Sequence, residues 1–352
     1  MDSAEIERLG TQLHEAVARA ATVLVASEPL PDGDAFGSEL ALRLMIEGAF
    51  GLAHSRDEAR VGVGPKYVAI VNEKGTPERY AFLERSESRR PAAEDAAGFD
   101  LGILVDGGVE RCGDEVRALF EKCRARAYVD HHRAGSTGDY DLRIVDPRRA
   151  ATTEMLGALL LETAAWRGVP LTRPLAEALY VGIVSDTGSF MYSLTTPRTH
   201  RFAARLLEAG VRAVEIGERV LLDVRLDDLR FLARVVEGST LECQGKLIVG
   251  VLSLDMLGGR DPGLVGYDKI VTPMAFVAET KVTLLLREVA PLQWKLSFRS
   301  RGEVDVSKVA REVDPQGGGH ARAAGCSVSG SLDEVRARAI AAIGRGLAQA
   351  GL

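Results

Sequence analysis

Short apolar runs alternate with helix-spaced segments through the first part of the chain. Ile6, Leu9, Leu13 and Val17 recur at three- and four-residue intervals, which predicts an amphipathic helix over residues 2 to about 20. The run Val23–Ala26 reads as a buried strand, Gly37–Phe50 as the next helix and Tyr67–Val71 as a second strand. The rhythm repeats with a strand at Leu101–Val105, a helix at Val116–Cys123 and a strand at Ala125–Val129. Residues 152–188 are mostly helical. Strands alternating with helices imply right-handed crossovers and a parallel sheet. Residues 198–236 stay helical without strand runs, and beyond about residue 238 the pattern becomes β-rich. There the strands are Lys246–Leu254, Lys281–Val289 and Trp294–Phe298, and the helices are Val304–Val313 and Leu332–Ala348. The expected fold is therefore α/β. A parallel-sheet N-terminal domain (1–215) is joined by a helical linker (216–238) to a smaller α/β C-terminal domain (239–352).

Composition narrows the class. The chain has 352 residues and 46% hydrophobic content, enough for two packed cores. A formal charge of −6 lacks the broad basic face needed to grip long duplex nucleic acid, so an anionic partner has to be held locally. Cys112, Cys123, Cys243 and Cys326 form no C-x-x-C pair, which suits free thiols in a reducing, cytoplasmic setting. The first residues are acidic and polar, and no apolar run approaches the roughly 18 residues that span a bilayer, so neither signal peptide nor membrane anchor is expected.

Candidate chemistry collects where apolar elements end. Asp32 and Asp34 follow the first strand on a Pro-Asp-Gly-Asp stretch read as a tight turn, from which two carboxylates can reach different ions. Asp106 ends the third strand, Asp130-His131-His132 the fourth, and Asp186 closes a long apolar helix. Carboxyl ends of parallel strands are where open α/β sheets bind ligands.

These motifs resemble the DHH phosphoesterase superfamily in its nano-RNase and phosphoadenosine-phosphate (pAp) phosphatase branch. P-D-G-D-A-F-G-S at 31–38 is similar to the first motif, V-D-G-G-V-E-R-C-G at 105–113 to the second, V-D-H-H at 129–132 to the third and G-I-V-S-D-T-G-S-F at 182–190 to the fourth. K-L-S-F-R-S-R-G at 295–302 and G-G-G-H-A-R-A-A-G at 317–325 resemble the associated substrate-binding domain, which separates this branch from inorganic pyrophosphatases.

The resemblance implies that Asp32 and Asp106 bind a first metal, and that Asp34, Asp106, His131 and Asp186 bind a second, with Asp106 bridging. His132 would face the scissile phosphate and Asp130 would orient the histidine pair. Two divalent ions about 3.5–4 Å apart can hold one hydroxide and stabilise attacking and leaving oxygens in line. A mostly carboxylate ligand set suits two manganese ions, with magnesium as the alternative. Arg299, the glycines Gly317, Gly318 and Gly319, and His320 are the expected contacts to a substrate phosphate. The implied partner is a short single-stranded oligonucleotide or a small nucleotide such as pAp or a linear or cyclic dinucleotide. A homodimer is compatible with the sequence, which does not set the oligomeric state.

The chain departs from the family pattern in two places. Glu28 stands where a metal-binding His is usual, and Arg133-Ala134 replaces the usual Ser-Asn. As a ligand, Glu28 would bring the carboxylate count from four to five, raise the pKa of a bridging water and shift activity to alkaline pH. The competing reading is a nucleotide-binding or regulatory protein whose first metal site Glu28 has weakened.

Overall fold

The computed structural model describes residues 1–132, 135–222, 224–262 and 265–352, so the Arg133-Ala134 departure lies outside the described residues. The chain divides into two compact units, Met1–Asp223 and Val224–Leu352.

The first unit opens with α1 (Ser3–Arg19), whose N-terminus is capped by the Asp2 carboxylate accepting from the Glu5 amide at 2.9 Å. There follow β1 (Thr22–Ala26), α2 (Gly33–Phe50), β2 (Tyr67–Ile70), β3 (Leu101–Val105), α3 (Asp114–Phe120), β4 (Ala125–Asp130) and β5 (Leu142–Val145). Helices α4 (Thr152–Glu162), α5 (Arg173–Asp186), α6 (Pro197–Glu208) and α7 (Ala213–Gly217) complete it. The strands form a parallel sheet in the order β2-β1-β3-β4-β5. Alternate residues feed opposite faces: Val23 and Val25 join the core built with α1, α2, α4 and α5, whereas Leu24 and Ala26 join a second core with Leu104, Phe120 and Tyr128. Both faces are thus covered, as a parallel sheet requires. The chain leaves β1 for one side of the sheet and returns with β3 on the other. The switch point that favours ligand binding therefore lies between the carboxyl ends of β1 and β3.

Close approach of α2 to α5 depends on glycine. A Cβ on Gly37 would sit 2.5 Å from the Ala178 carbonyl oxygen, and one on Gly182 would sit 2.2 Å from Thr153 Oγ1 and 2.5 Å from Asp34 Oδ1. No larger residue permits this spacing without shifting the helices that carry Asp34 and Asp186.

The second unit contains α8 (Leu226–Glu237), β6 (Thr240–Glu242), β7 (Leu247–Leu252), α9 (Leu254–Leu257), α10 (Asp268–Met274), β8 (Val282–Ala290), β9 (Gln293–Ser300), α11 (Val306–Val313), β10 (Gly318–His320), β11 (Ala323–Ser329) and α12 (Leu332–Gln349). Its mixed sheet runs β10-β11-β9-β8-β7-β6, with β7 and β8 parallel and the other neighbouring pairs antiparallel. Phe298, Leu296 and Leu284 pack with Val306, Ala310, Val335 and Ile343 of α11 and α12. A separate cluster on the other face joins Phe231 and Val235 of α8 to Ile248, Leu285, Ile270 and Met274. Helix α8, read from sequence as linker, is thus part of the second unit, because its apolar positions are buried against β7 and β8. Among the described residues, no helix is long and apolar enough to cross a membrane. All four cysteines are free thiols.

The α2–α5 contact generates a stability prediction. Gly37→Ala should gain up to about 1 kcal/mol of helix propensity yet lose about 1–3 kcal/mol to overpacking. We expect a lower urea midpoint at unchanged slope; an unchanged or raised midpoint would show that the contact is not tight.

Candidate metal centre

Residues after β1, β3 and β4 meet the ends of α4 and α5 at one place. Asp32, expected on a turn, is the N-cap of α2: its Oδ1 accepts from the Asp34 and Ala35 amides, both at 3.0 Å. The helix begins inside the Asp-Gly-Asp stretch because the Asp32 carboxylate satisfies amides that would otherwise lack partners. Asp34, in the first turn, reaches across to α4. Its Oδ2 accepts from the Thr152 amide at 2.5 Å, and its Oδ1 accepts from the Thr153 amide at 2.9 Å and the Thr153 hydroxyl at 2.7 Å. One carboxylate thus begins on one helix and caps another.

Asp106 continues the ladder beyond β3, its amide donating to the Val129 carbonyl at 3.0 Å, and takes a φ of 54°. That left-handed conformation is uncommon outside glycine, and Asp is among the few residues that adopt it. It turns the carboxylate out of the strand, where Oδ1 accepts from the Thr152 hydroxyl at 2.9 Å.

The two histidines have separate supports. His131 Nδ1 lies 3.2 Å from the Arg149 carbonyl oxygen, which fixes Nδ1 as the protonated nitrogen and aims Nε2 inward. His131 Nε2 lies 2.9 Å from Asp186 Oδ2, 3.7 Å from Asp106 Oδ1 and 3.8 Å from Asp34 Oδ2. Asp130 serves His132 instead. Its Oδ1 is 2.6 Å from His132 Nδ1 and accepts from the His131 and His132 amides, while its Oδ2 accepts from the Tyr128 hydroxyl.

Electrostatics follow from this crowding. Asp34, Asp106, Asp130 and His131 are all buried. Burial, then the charge of Asp186, then that of Glu28 push Asp32 up to about 7. Burial and the neighbouring Asp34, Asp32 and Asp186 hold Asp106 well above the usual carboxylate range. Burial opposes protonation of His131, but the hydrogen bond and charge of Asp186, with Asp34 and Asp130, lift it to about 10. Burial alone would raise Asp130 too; the His132 ring and the Tyr128 hydroxyl outweigh it and hold the carboxyl at about 2.

Asp34, His131 and Asp186 form one group whose ligand atoms lie within 4.8 Å of one another, and Asp106, Asp130, His131 and His132 form another. Oxygen donors with one imidazole fit a hard divalent cation, and raised carboxyl pKa values mark the place where positive charge is wanted. Glu28 belongs to neither group; its Oε2 is 2.7 Å from Arg111 Nη2. Thr152, Thr153, Arg149 and Arg111 carry roles that the sequence reading missed. Only Arg111 had a signal, since it lies within the second motif.

In the second unit, strand register lines up Thr283, Arg299, Ala323 and His320 as one row across β8, β9, β11 and β10. Arg299 and His320 therefore share a face, separated by small Ala323 and about two strand spacings of roughly 4.8 Å each. The glycines before His320 differ in what they do. The Gly317 amide donates to the Asp314 carbonyl at 2.7 Å, so it is committed within the loop. Gly319, at φ 133°, would place a Cβ 2.5 Å from the Ala323 carbonyl oxygen, so its smallness serves strand packing, whereas a Cβ on Gly318 would meet nothing within 4 Å.

The comparisons with known proteins agree with this architecture. The model of the DHH family N-terminal domain matches residues 22–183, and that of the DHHA1 domain matches residues 268–345. The chain is 28% identical over 337 residues to the bifunctional oligoribonuclease and PAP phosphatase NrnA of Thermus thermophilus, covering 94% of this chain and 91% of that one. It is 25% identical over 320 residues to the protein of the same name from Bacillus subtilis, covering 90% and 93%. The fold is shared with an exopolyphosphatase-related protein from Bacteroides fragilis, at TM-score 0.80 and 20% identity over 97% of this chain and 96% of that one. It is shared more loosely with the exonuclease RecJ bound to manganese, at TM-score 0.50 and 17% identity over 96% and 93%. With its motifs gathered at the carboxyl ends of β1, β3 and β4 and the end of α5, the first unit carries a DHH-family N-terminal domain, and the second carries a DHHA1 domain.

Proposed function

We propose that this protein is a metal-dependent phosphoesterase that hydrolyses short oligoribonucleotides and pAp, using two divalent ions, manganese before magnesium. The observation that carries the reading is His131 Nε2, aimed by the Arg149 carbonyl into a ring of Asp34, Asp106 and Asp186. Relatives that match nearly the whole chain are named as oligoribonucleases and PAP phosphatases, which supports the substrate class.

In this reading Asp32 and Asp106 hold one ion, and Asp34, Asp106, His131 and Asp186 the other. When bound, such ions polarise a phosphoryl oxygen and lower the pKa of water. The chain's own part is positional. Thr152 and Thr153 orient Asp34, the Thr152 hydroxyl steadies Asp106, and Asp130 keeps His132 Nδ1 protonated so that Nε2 is presented to substrate. Arg299 and His320 hold a terminal phosphate, Arg299 through paired N–H donors.

The test is release of phosphate or mononucleotide from a panel of pAp, dinucleotides and longer oligoribonucleotides, with and without Mn²⁺. Metal-dependent turnover on short substrates, abolished in a folded Asp106→Ala variant, is expected. Nucleotide binding with no turnover under any metal would favour the regulatory reading.

Arg299→Ala should raise KM for short phosphorylated substrates, since a charge-assisted bond is worth about 1.5–3 kcal/mol, roughly 10- to 150-fold. A generic phosphodiester should be affected far less, and equal losses on both would count against the assignment.

The raised pKa values also fix how stability responds to pH. A carboxyl raised from 3.8 to about 7 binds protons in the folded chain that the unfolded chain has already released. Stability of the metal-free protein therefore falls as pH rises from about 4 through about 7. His131, raised from 6.5 to about 10, acts in the same sense at higher pH. Saturating Mn²⁺ displaces these protons and should flatten the Asp32 and His131 share of the slope. Thermal melts between about pH 5 and 8 check this; a metal-free Tm that climbs across the interval would refute it.

A further inference from the structure

Glu28 follows β1 and Arg111 follows β3, so the two come from the segments that flank the switch point of the sheet. Their side chains meet at 2.7 Å, Glu28 being 23% exposed and Arg111 49%. The Arg111 stem runs along Gly107, where an added Cβ would come within 3.7 Å of its Cδ, so the guanidinium is carried beside the residue that follows Asp106. Asp106 and Asp32 act electrostatically on that guanidinium, as Glu28 does.

This geometry changes the charge balance expected from sequence. A fifth carboxylate facing two divalent ions would leave one negative charge uncompensated. Arg111 supplies the missing positive charge from the protein itself.

We propose that Arg111 is a resident cation of the metal centre: paired with Glu28, it offsets the charge of that carboxylate, so that Asp32, Asp34, Asp106 and Asp186 carry the net charge presented to the ions. The inference rests on the two-metal reading above and makes Arg111 and Glu28 positioning residues. Where the usual His would add a neutral ligand, this chain adds a neutral ion pair and leaves the first ion with protein ligands from Asp32 and Asp106. A half-exposed ion pair contributes little to global stability, so the consequences fall on cation binding and not on folding.

The signs are opposite for the two partners. Arg111→Met leaves the charge of Glu28 without its offset and should tighten Mn²⁺ binding. Glu28→Gln leaves Arg111 uncompensated beside the ions and should weaken it. Each shift should be about tenfold or more, given the strength of charge interactions at this range. The double variant removes both charges and should return close to the unmodified affinity. Arg111→Gln, which keeps much of the stem along Gly107 and drops the charge, should shift in the same direction as Arg111→Met.

The experiment is Mn²⁺ titration of the metal-free full-length chain, free Mn²⁺ being read by electron paramagnetic resonance, with no substrate present. Circular dichroism confirms that each variant is folded. Opposite shifts with recovery in the double variant support the inference. If the unmodified chain binds Mn²⁺ but both single variants shift the same way, or by less than about twofold, the scatter of independent sites, the inference fails alone. If the unmodified chain binds no Mn²⁺, the two-metal reading fails and takes this inference with it.

Discussion

Like charges buried together are the constraint on which the first unit is built. Asp34 and Asp106 are taken out of water within a few ångströms of His131, while Asp32 and Asp186 stand partly exposed at the rim. Crowding of this kind favours protons on the group: burial and the charges of Asp186 and Glu28 raise Asp32 to about 7, and, against burial, Asp186 raises His131 to about 10. Divalent cations answer the same need with more charge, which makes the arrangement a candidate metal centre.

The fold holds these groups in place by giving each one a separate anchor. Asp32 is tied to its own helix, Asp34 to the start of α4, Asp106 to the Thr152 hydroxyl and His131 to a backbone carbonyl. None of these anchors uses the His131 Nε2 face that looks onto the carboxylates. The glycines at 37 and 182 let α2 and α5 come close enough for Asp34 and Asp186 to meet at His131, so helix packing and site geometry are one problem. Asp130 illustrates the division of labour: its low pKa keeps it charged beside His132, while His131 is left for the carboxylate ring.

Much of this was legible in the chain because Asp32, Asp34, Asp106, His131 and Asp186 each stand where an apolar element stops, and strand ends in a parallel sheet converge. Asp and Gly favour a turn, which is what the sequence predicts for the Asp-Gly-Asp stretch; a capping bond to Asp32 makes it the start of a helix. Ala323–Ser329 has weak strand propensity, yet it pairs along its whole length with β9 and at its start with β10. The Arg149 carbonyl and the Thr152 and Thr153 amides were invisible, because a backbone group acquires a role only from where the chain brings it. Glu28 was visible as a departure, but its partner Arg111 lies on another strand's loop and no spacing rule connects them.

The central inference is spatial: the carboxylate ring around His131 holds metal. Anomalous diffraction from crystals grown with Mn²⁺ tests it directly. Two peaks are predicted about 3.5–4 Å apart, bridged by Asp106, with His131 Nε2 bound to one and Glu28 still paired with Arg111. Peaks located elsewhere, or none at saturating Mn²⁺ with His131 still hydrogen-bonded to Asp186, would contradict it.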